Sequence, residues 1–293
     1  MKRSKNKLGF LVLNSLLLVG CSFLLVFVLG ACKDGVAVPR TETKDKEGLT
    51  EKPTGKNKLI LMTYNIHHGA PAPEISNTVN LNNIAAVIRQ SKAEVVALQE
   101  LDVNVARSGR KHQARELARM LKMYYYFVKT LDYRGGEYGI GILSKYPLTN
   151  KRREFLPMPT RGERRAVALA TVNLPGNKKL EFGSTHFDLN VPNRTAQANY
   201  LNQLSRRLKK PLIIGGDYNA ESASVEMRKL QEEFVLSCKN GCPLSFPVRR
   251  PRKAIDLLAS NGLANKAFPL LTAVAMNGQY ASDHLPVIGI YQY

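Results

Sequence analysis

Asp217 and Asn219 stand two residues apart behind the apolar run Leu212-Ile213-Ile214-Gly215-Gly216. Alternate positions of an extended chain face one way, so a carboxylate acceptor and a mixed donor and acceptor amide share one side of it. The two glycines are read as places where a ligand comes close to the backbone. The same design recurs: Asn65 follows Lys58–Tyr64, Glu100 follows Glu94–Leu98, His186 follows Lys179–Thr185, and Asp283-His284 precedes Leu285–Tyr291. Asp256 lies between the last two of these groups along the chain. Acid, amide and imidazole tips of this kind, gathered into one cup, can move protons and grip a hard cation. Singly they are weak signals, because Gly-Gly-Asp-x-Asn also makes a good turn and a lone acid or histidine at a strand end is usually a rim residue.

The elements needed to gather these tips are legible in the periodicity. Apolar runs Lys58–Tyr64, Glu94–Leu98 and Leu212–Ile214 read as buried strands. Further strands are expected over Tyr124–Leu131, Ile140–Leu143 and Arg165–Leu174, the last turning at Pro175-Gly176-Asn177 into Lys179–Thr185 as a hairpin. Two last strands carry Asp256 and Leu285–Tyr291. Gly135-Gly136-Glu137-Tyr138-Gly139 reads as a tight polar turn. Helices are expected after a cap at Asn82-Asn83, over His112–Lys122, Asn193–Leu208 and Ser224–Glu233.

Upstream of these elements the composition changes twice. Residues 1–8 are basic and Leu8–Ala31 carries no charge, which marks 1–31 as an export signal or a membrane anchor. Leu29-Gly30-Ala31-Cys32 resembles a bacterial lipoprotein cleavage box, with Cys32 acylated. Leu18-Val19-Gly20-Cys21 resembles one too, but cutting there leaves an apolar stub, so Cys32 is preferred. Residues 32–57 are rich in Lys, Glu, Thr, Gly and Pro, too polar to order themselves, and form a linker to one large domain at 58–293. The expected location is the cell envelope, tethered to the membrane through an N-terminal lipid and facing outside the cytoplasm. The chain holds 43 Lys and Arg against 23 Asp and Glu, a net charge of +20. Only Lys2, Arg3, Lys5 and Lys7 of that excess sit in the leader, so the body attracts polyanions such as nucleic acid or an anionic membrane.

Taken in order, Thr63-Tyr64-Asn65-Ile66, Ala97-Leu98-Gln99-Glu100, Gly139-Ile140-Gly141-Ile142-Leu143-Ser144, Ser184-Thr185-His186, Gly215-Gly216-Asp217-Tyr218-Asn219-Ala220, Ile255-Asp256 and Ser282-Asp283-His284-Leu285-Pro286-Val287 resemble the endonuclease/exonuclease/phosphatase superfamily, from Leu59 to Tyr293. The resemblance implies an α/β fold, a four-layer α-β-β-α sandwich of two packed mixed β-sheets. It implies Glu100 as principal ligand of Mg²⁺ or Mn²⁺, with Asn65 and Asp283 assisting at the metal or through its waters. Asp217 would orient or deprotonate the attacking water, and Asn219 would hold phosphate and water in line. His284 would face the scissile phosphate with its ring fixed by Asp256, and His186 would donate to a non-bridging oxygen. In the Gly135–Gly139 turn, either Glu137 orients His186 or Tyr138 is the functional residue. Arg165 stands where family members place a phosphate-contacting arginine. His67, His68 and Asp102 are either supporting groups or rim residues.

Zinc patterns such as His-x-x-x-His or clustered thiols are absent from the sequence. Cys238 and Cys242 are expected to pair outside the cytoplasm. Arg249-Arg250-Pro251-Arg252-Lys253 could grip a phosphate backbone or headgroup, or simply be a solvated loop. The chain departs from the family in carrying Leu257-Leu258 after Asp256, where an aromatic is common, and in having no tryptophan. The reading that follows is a metal-dependent phosphoesterase with a nuclease-like preference. Hydrolysis of phospholipid, sphingomyelin or inositol phosphate is the alternative, and a non-catalytic phosphate-binding module ranks below both.

Overall fold

The computed structural model describes residues 57–293, so the leader, Cys21, Cys32 and the linker except Asn57 lie outside the described residues. The first half contains β1 (Lys58–Asn65), α1 (Leu81–Ser91), β2 (Val95–Val103), α2 (Gln113–Leu121), β3 (Tyr124–Tyr133), β4 (Gly136–Ser144), β5 (Leu148–Phe155) and β6 (Ala166–Leu174). The second contains β7 (Lys178–His186), α3 (Val191–Leu208), β8 (Leu212–Asp217), α4 (Val225–Leu230), β9 (Phe234–Leu236), β10 (Asp256–Asn261), α5 (Gly262–Ala267), β11 (Leu270–Ala275) and β12 (Val287–Gln292). They build two six-stranded sheets, ordered β11-β12-β1-β2-β4-β3 and β5-β6-β7-β8-β10-β9. Both are mixed: β1–β2 and β7–β8 pair in parallel, their neighbours antiparallel.

The sheets pack face to face through Leu59, Leu61, Val95, Ala97 and Ile142 of one and Ala168, Ala170, Phe182, Ile213 and Leu258 of the other. Buried runs with apolar side chains on both faces suit this middle position, because α1 and α2 cover the first sheet while α3 and α4 cover the second. The packing is close near the polar tips. A Cβ added to Gly215 would come within 2.8 Å of the Ala97 Cβ and 3.1 Å of the Thr63 Cβ, and one on Gly216 within 2.8 Å of the Thr185 carbonyl oxygen. The Gly-Gly pair therefore lets β8 press on the opposite sheet and on β7; it is not an opening for a ligand. At the same end Gln99 donates to Ser184 Oγ (3.2 Å), and Ser184 Oγ donates to the Leu98 carbonyl (3.0 Å), tying the sheets together where the site begins.

Other details differ from the sequence reading. The cap of α1 is Asn80, whose side chain accepts from the Asn82 N–H, and not Asn82-Asn83. β4 begins at Gly136, so Glu137 and Tyr138 are strand residues and the turn is Arg134-Gly135. β2 runs past Glu100 to Val103, with an irregularity between Leu98 and Leu101 where Glu100 takes φ 61°. Edge strand β5 and the short α5 have no long apolar run to announce them, and edge strand β11, although it is largely apolar, is also missing from the sequence reading.

Candidate active site

Strand register does most of the positioning. In the second sheet Asp217, the last residue of β8, pairs with His186 at the end of β7 on one side and with Asp256 at the start of β10 on the other. In the first sheet Asn65 ends β1 opposite Gln99, one residue before Glu100. Two sheet ends thus face each other across the gap that the glycines close.

Asp217 is the hub, and it is buried. Its Oδ2 accepts from Asn65 Nδ2 (3.1 Å) and lies 3.4 Å from His186 Nε2 and 3.8 Å from His284 Nε2. Its Oδ1 accepts from the Asn219 backbone N–H at 2.9 Å. Burial, and then the negative charge of Asp256, push the Asp217 carboxyl up to about 7, while His284 pulls the other way. Such a carboxyl sits near the midpoint between proton donor and acceptor around neutrality.

His284 has both ring nitrogens directed at carboxylates. Its Nδ1 is 2.8 Å from Asp256 Oδ2, which also accepts from Ser245 Oγ at 2.6 Å. Burial alone would lower its pKa, but Asp256 and Asp217 outweigh that and hold it at about 10, so the ring is an imidazolium at neutral pH. Phe246 stacks on it at 4.7 Å. His186 is the opposite case: burial, then the positive charges of Arg165 and His284, drive its pKa well below the ordinary value and keep it neutral.

Glu100 approaches from the other sheet. Its Oε1 accepts from Asn65 Nδ2 at 3.0 Å, so one amide group links Glu100 to Asp217. The orientation of that amide is fixed by the His67 N–H, which donates to Asn65 Oδ1 at 3.0 Å. Asn65 therefore faces the carboxylates with its nitrogen, as a donor. One ligand-type atom each from His67, His68 and Glu100 lie within 4.8 Å of one another. The set joins a hard carboxylate to two imidazoles and fits a divalent cation. Asp217, Asp256 and His284 meet the same distance test, but the protonated ring between the two acids marks them as an acid–imidazole system.

The remaining expected residues divide. Tyr138 lines a cavity of about 220 Å³ with His67, Glu100, Arg107, Tyr133 and Glu163. Burial and the charges of Glu100 and Glu163 raise its phenol well above the ordinary range, so it stays an O–H donor. Glu137 does not orient His186: as the strand neighbour of Tyr138 it points the other way, lies 3.6 Å from Lys129 Nζ and is partly exposed, while His186 Nδ1 has no partner among the described residues. Asn219, at φ 50°, donates its Nδ2 to the Phe187 carbonyl, which leaves its Oδ1 as the group available for a water. Asp283 stands beside His67, its Oδ1 3.9 Å from Nδ1. Arg165 is buried against Glu163 at 2.9 Å, close enough for its charge to act on His186. Asp102 is fully buried and holds Arg107 by two hydrogen bonds of 2.8 and 2.9 Å. Cys238 and Cys242 are joined in a disulfide, remote in role from these groups.

Some site residues carried no mark in the sequence. Ser245 and Phe246 sit in an irregular segment, and only the fold brings them to Asp256 and His284. Arg107 sits in a short 3-10 turn (Ala106–Ser108) and Glu163 in a loop, where a pattern of apolar runs and polar tips is blind. A second and larger cavity, about 700 Å³, opens on the opposite side of the hub, lined by Leu189, Arg194, Asn219, Phe246, Lys253 and His284 among others.

Solved structures share this architecture at low sequence identity. An endonuclease/exonuclease/phosphatase from Beutenbergia cavernae matches with a TM-score of 0.64 at 21% identity, covering 80% of this chain and 71% of that one. A mannosyl-6-phosphatase of Bacteroides thetaiotaomicron matches with a TM-score of 0.63 at 16% identity, covering 79% and 98%. The human Nocturnin catalytic domain matches with a TM-score of 0.61 at 16% identity, covering 80% and 97%. No curated protein sequence matches the chain. The model of the Endonuclease/Exonuclease/phosphatase family matches residues 62–284, which include every one of the strand-tip residues just described, and the chain belongs to that family.

Proposed function

We propose that this protein, a phosphoesterase by family, hydrolyses phosphodiester bonds with the help of a divalent cation held at Glu100. The observation that carries the reading is the convergence of Asn65, His186 and His284 on one buried carboxylate oxygen of Asp217. A water beside that oxygen loses its proton to Asp217, whose raised pKa keeps it a competent base near neutrality. Asn219 Oδ1 orients the water. The His284 imidazolium, locked by Asp256, and the neutral His186 N–H meet the charge that grows on phosphorus. When bound, the cation supplies Lewis-acid polarisation of the phosphate and help to the departing oxygen. Glu100 binds it, and Tyr138 donates from the cavity beside it.

Nucleic acid is the preferred substrate. The strongly basic body, with Lys253 on the larger cavity, supports a polyanionic chain running through the site, although Arg194 there is already paired with Glu226. A lipid headgroup is the second reading, supported by Leu189, which is 75% exposed at the rim of that same cavity and beside Val191, also exposed. The mannosyl-6-phosphatase neighbour is named for a phosphorylated sugar, and at 16% identity it does not choose between them. Placement in the cell envelope through an acylated Cys32 fits either. Among the described residues no helix is long and apolar enough to cross a membrane.

The test is a panel of DNA, RNA, sphingomyelin and inositol phosphates offered to full-length protein with a divalent cation, beside Glu100→Ala and His284→Ala. Cleavage of DNA or RNA that both substitutions abolish supports the proposal. Release of a lipid headgroup with nucleic acid left intact moves the substrate to the second reading. Equal rates in the parent and both variants overturn the mechanism.

A further inference from the structure

We propose that His67 and His68 are metal ligands which, together with Glu100, make a two-histidine, one-carboxylate centre that prefers a borderline divalent cation, Zn²⁺ or Co²⁺, to Mg²⁺. This rests on the reading of Glu100 as a cation ligand and adds to it the source of selectivity.

The loop carrying the two histidines is clamped on every side. The His67 N–H donates to Asn65 Oδ1 (3.0 Å), the Gly69 N–H to the Ile66 carbonyl (2.7 Å), and the Ala70 N–H to the His67 carbonyl (2.9 Å). From α2, the fully buried Gln113 donates its Nε2 to the His68 carbonyl and accepts from the Asp102 N–H through its Oε1, pinning the loop to β2. These bonds hold His67 at φ 44° and His68 at φ 46°, and Glu100 facing them at φ 61°. Three side-chain-bearing residues in the left-handed region, converging on one point, are strained positions that the surroundings over-determine.

The ring chemistry agrees with ligation. The Nδ1 of His67 is 3.2 Å from the Ala70 carbonyl, which can only accept, so Nδ1 carries the proton and Nε2 keeps its lone pair. His68 has a buried Nδ1 with no hydrogen-bond partner among the described residues, a state that a bound ion would relieve. Arg107, the nearby cation, is neutralised by its paired bonds to Asp102. Magnesium takes oxygen ligands and keeps its waters, whereas two imidazoles beside one carboxylate suit the later first-row ions. The rings meet although adjacent in sequence, because the left-handed turn folds them to 4.4 Å between centroids.

The experiment titrates full-length metal-stripped protein with Co²⁺, followed by its d–d absorption, and with Zn²⁺ and Mg²⁺ by calorimetry, for the parent, His67→Gln, His68→Gln and Glu100→Gln. The expected result is a Co²⁺ spectrum that changes in each histidine variant, Zn²⁺ binding weakened at least about tenfold in each, and Mg²⁺ binding lowered only by Glu100→Gln. Zn²⁺ affinity and Co²⁺ spectrum unchanged in both histidine variants overturns the inference while leaving Glu100 as a ligand. Metal binding unchanged in Glu100→Gln overturns the underlying reading instead. Should the histidine variants unfold, pulsed electron resonance of the Mn²⁺-loaded parent decides: imidazole nitrogen coupling supports the centre, and its absence sinks it.

Discussion

Asp256 is the group whose removal tests the mechanism most sharply. His284 rises from 6.5 to about 10 in this fold against the opposing effect of burial. That rise is worth on the order of 5 kcal/mol of preference for the imidazolium. Asp256 touches the ring at 2.8 Å and Asp217 stands at 3.8 Å, so Asp256 carries the larger part. Assigning it on the order of 3 kcal/mol, Asp256→Asn lowers the His284 pKa by about two pH units, since each unit is worth about 1.4 kcal/mol. Asp256 also pushes the Asp217 carboxyl up, after burial itself, so the same substitution lets that group fall from about 7. Both limbs of the kcat/KM profile therefore move to lower pH together. The assay is hydrolysis of bis(4-nitrophenyl) phosphate by parent and variant from the acid to the alkaline limb. A substitution that merely loosens the site lowers the whole curve in place. An alkaline limb still at its parental position in Asp256→Asn would refute the coupling. Stability follows the same sign: the folded His284 pKa exceeds the unfolded one, so its pairing stabilises fully below 6.5 and is lost as pH rises through about 10. Thermal midpoints of the parent should decline across that window, and the variant should show a shallower decline.

Asp217→Asn removes the base and is expected to reduce kcat by roughly 10²- to 10⁴-fold with the fold intact by circular dichroism. His186→Ala should cost about 10²- to 10³-fold in kcat, with KM moving less. Glu137→Ala, by contrast, alters a partly exposed residue whose ion pair among the described residues is with Lys129, and should leave kcat/KM and the denaturation midpoint within about 0.5 kcal/mol of the parent. Gly215→Ala forces a methyl against Ala97 and Thr63, and denaturant titration should show a loss of about 1–3 kcal/mol.

The middle strands and the helices were legible because they are apolar runs and periodic stretches, whereas their arrangement as a sandwich came only from the resemblance to the family. The tips were legible because each ends such a run, as at Asn65, Glu100, His186 and Asp217. What escaped has physical reasons. β5 carries the charged run Lys151-Arg152-Arg153-Glu154 at a sheet edge, with five of its eight residues exposed, and so lacks the pattern of a buried strand. The glycines of β8 read as room for a ligand because sequence does not show that Ala97 of the other sheet stands only 2.8 Å from where a Cβ on Gly215 would be. Glu137 and Tyr138 were alternatives until β4 was seen to start at Gly136, which puts successive side chains on opposite faces. Asp102 was open between a supporting group and a rim residue, and β2 continues past Glu100 and buries it against Arg107.

Because His186, Asp217 and Asp256 sit side by side on three hydrogen-bonded strands, their spacing is the spacing of the sheet itself. No loop closure sets it, so warming cannot loosen these three groups by degrees. Heat inactivation should coincide with melting of the second sheet, and a preparation that has lost half its turnover on heating should hold a mixture of fully competent and unfolded molecules.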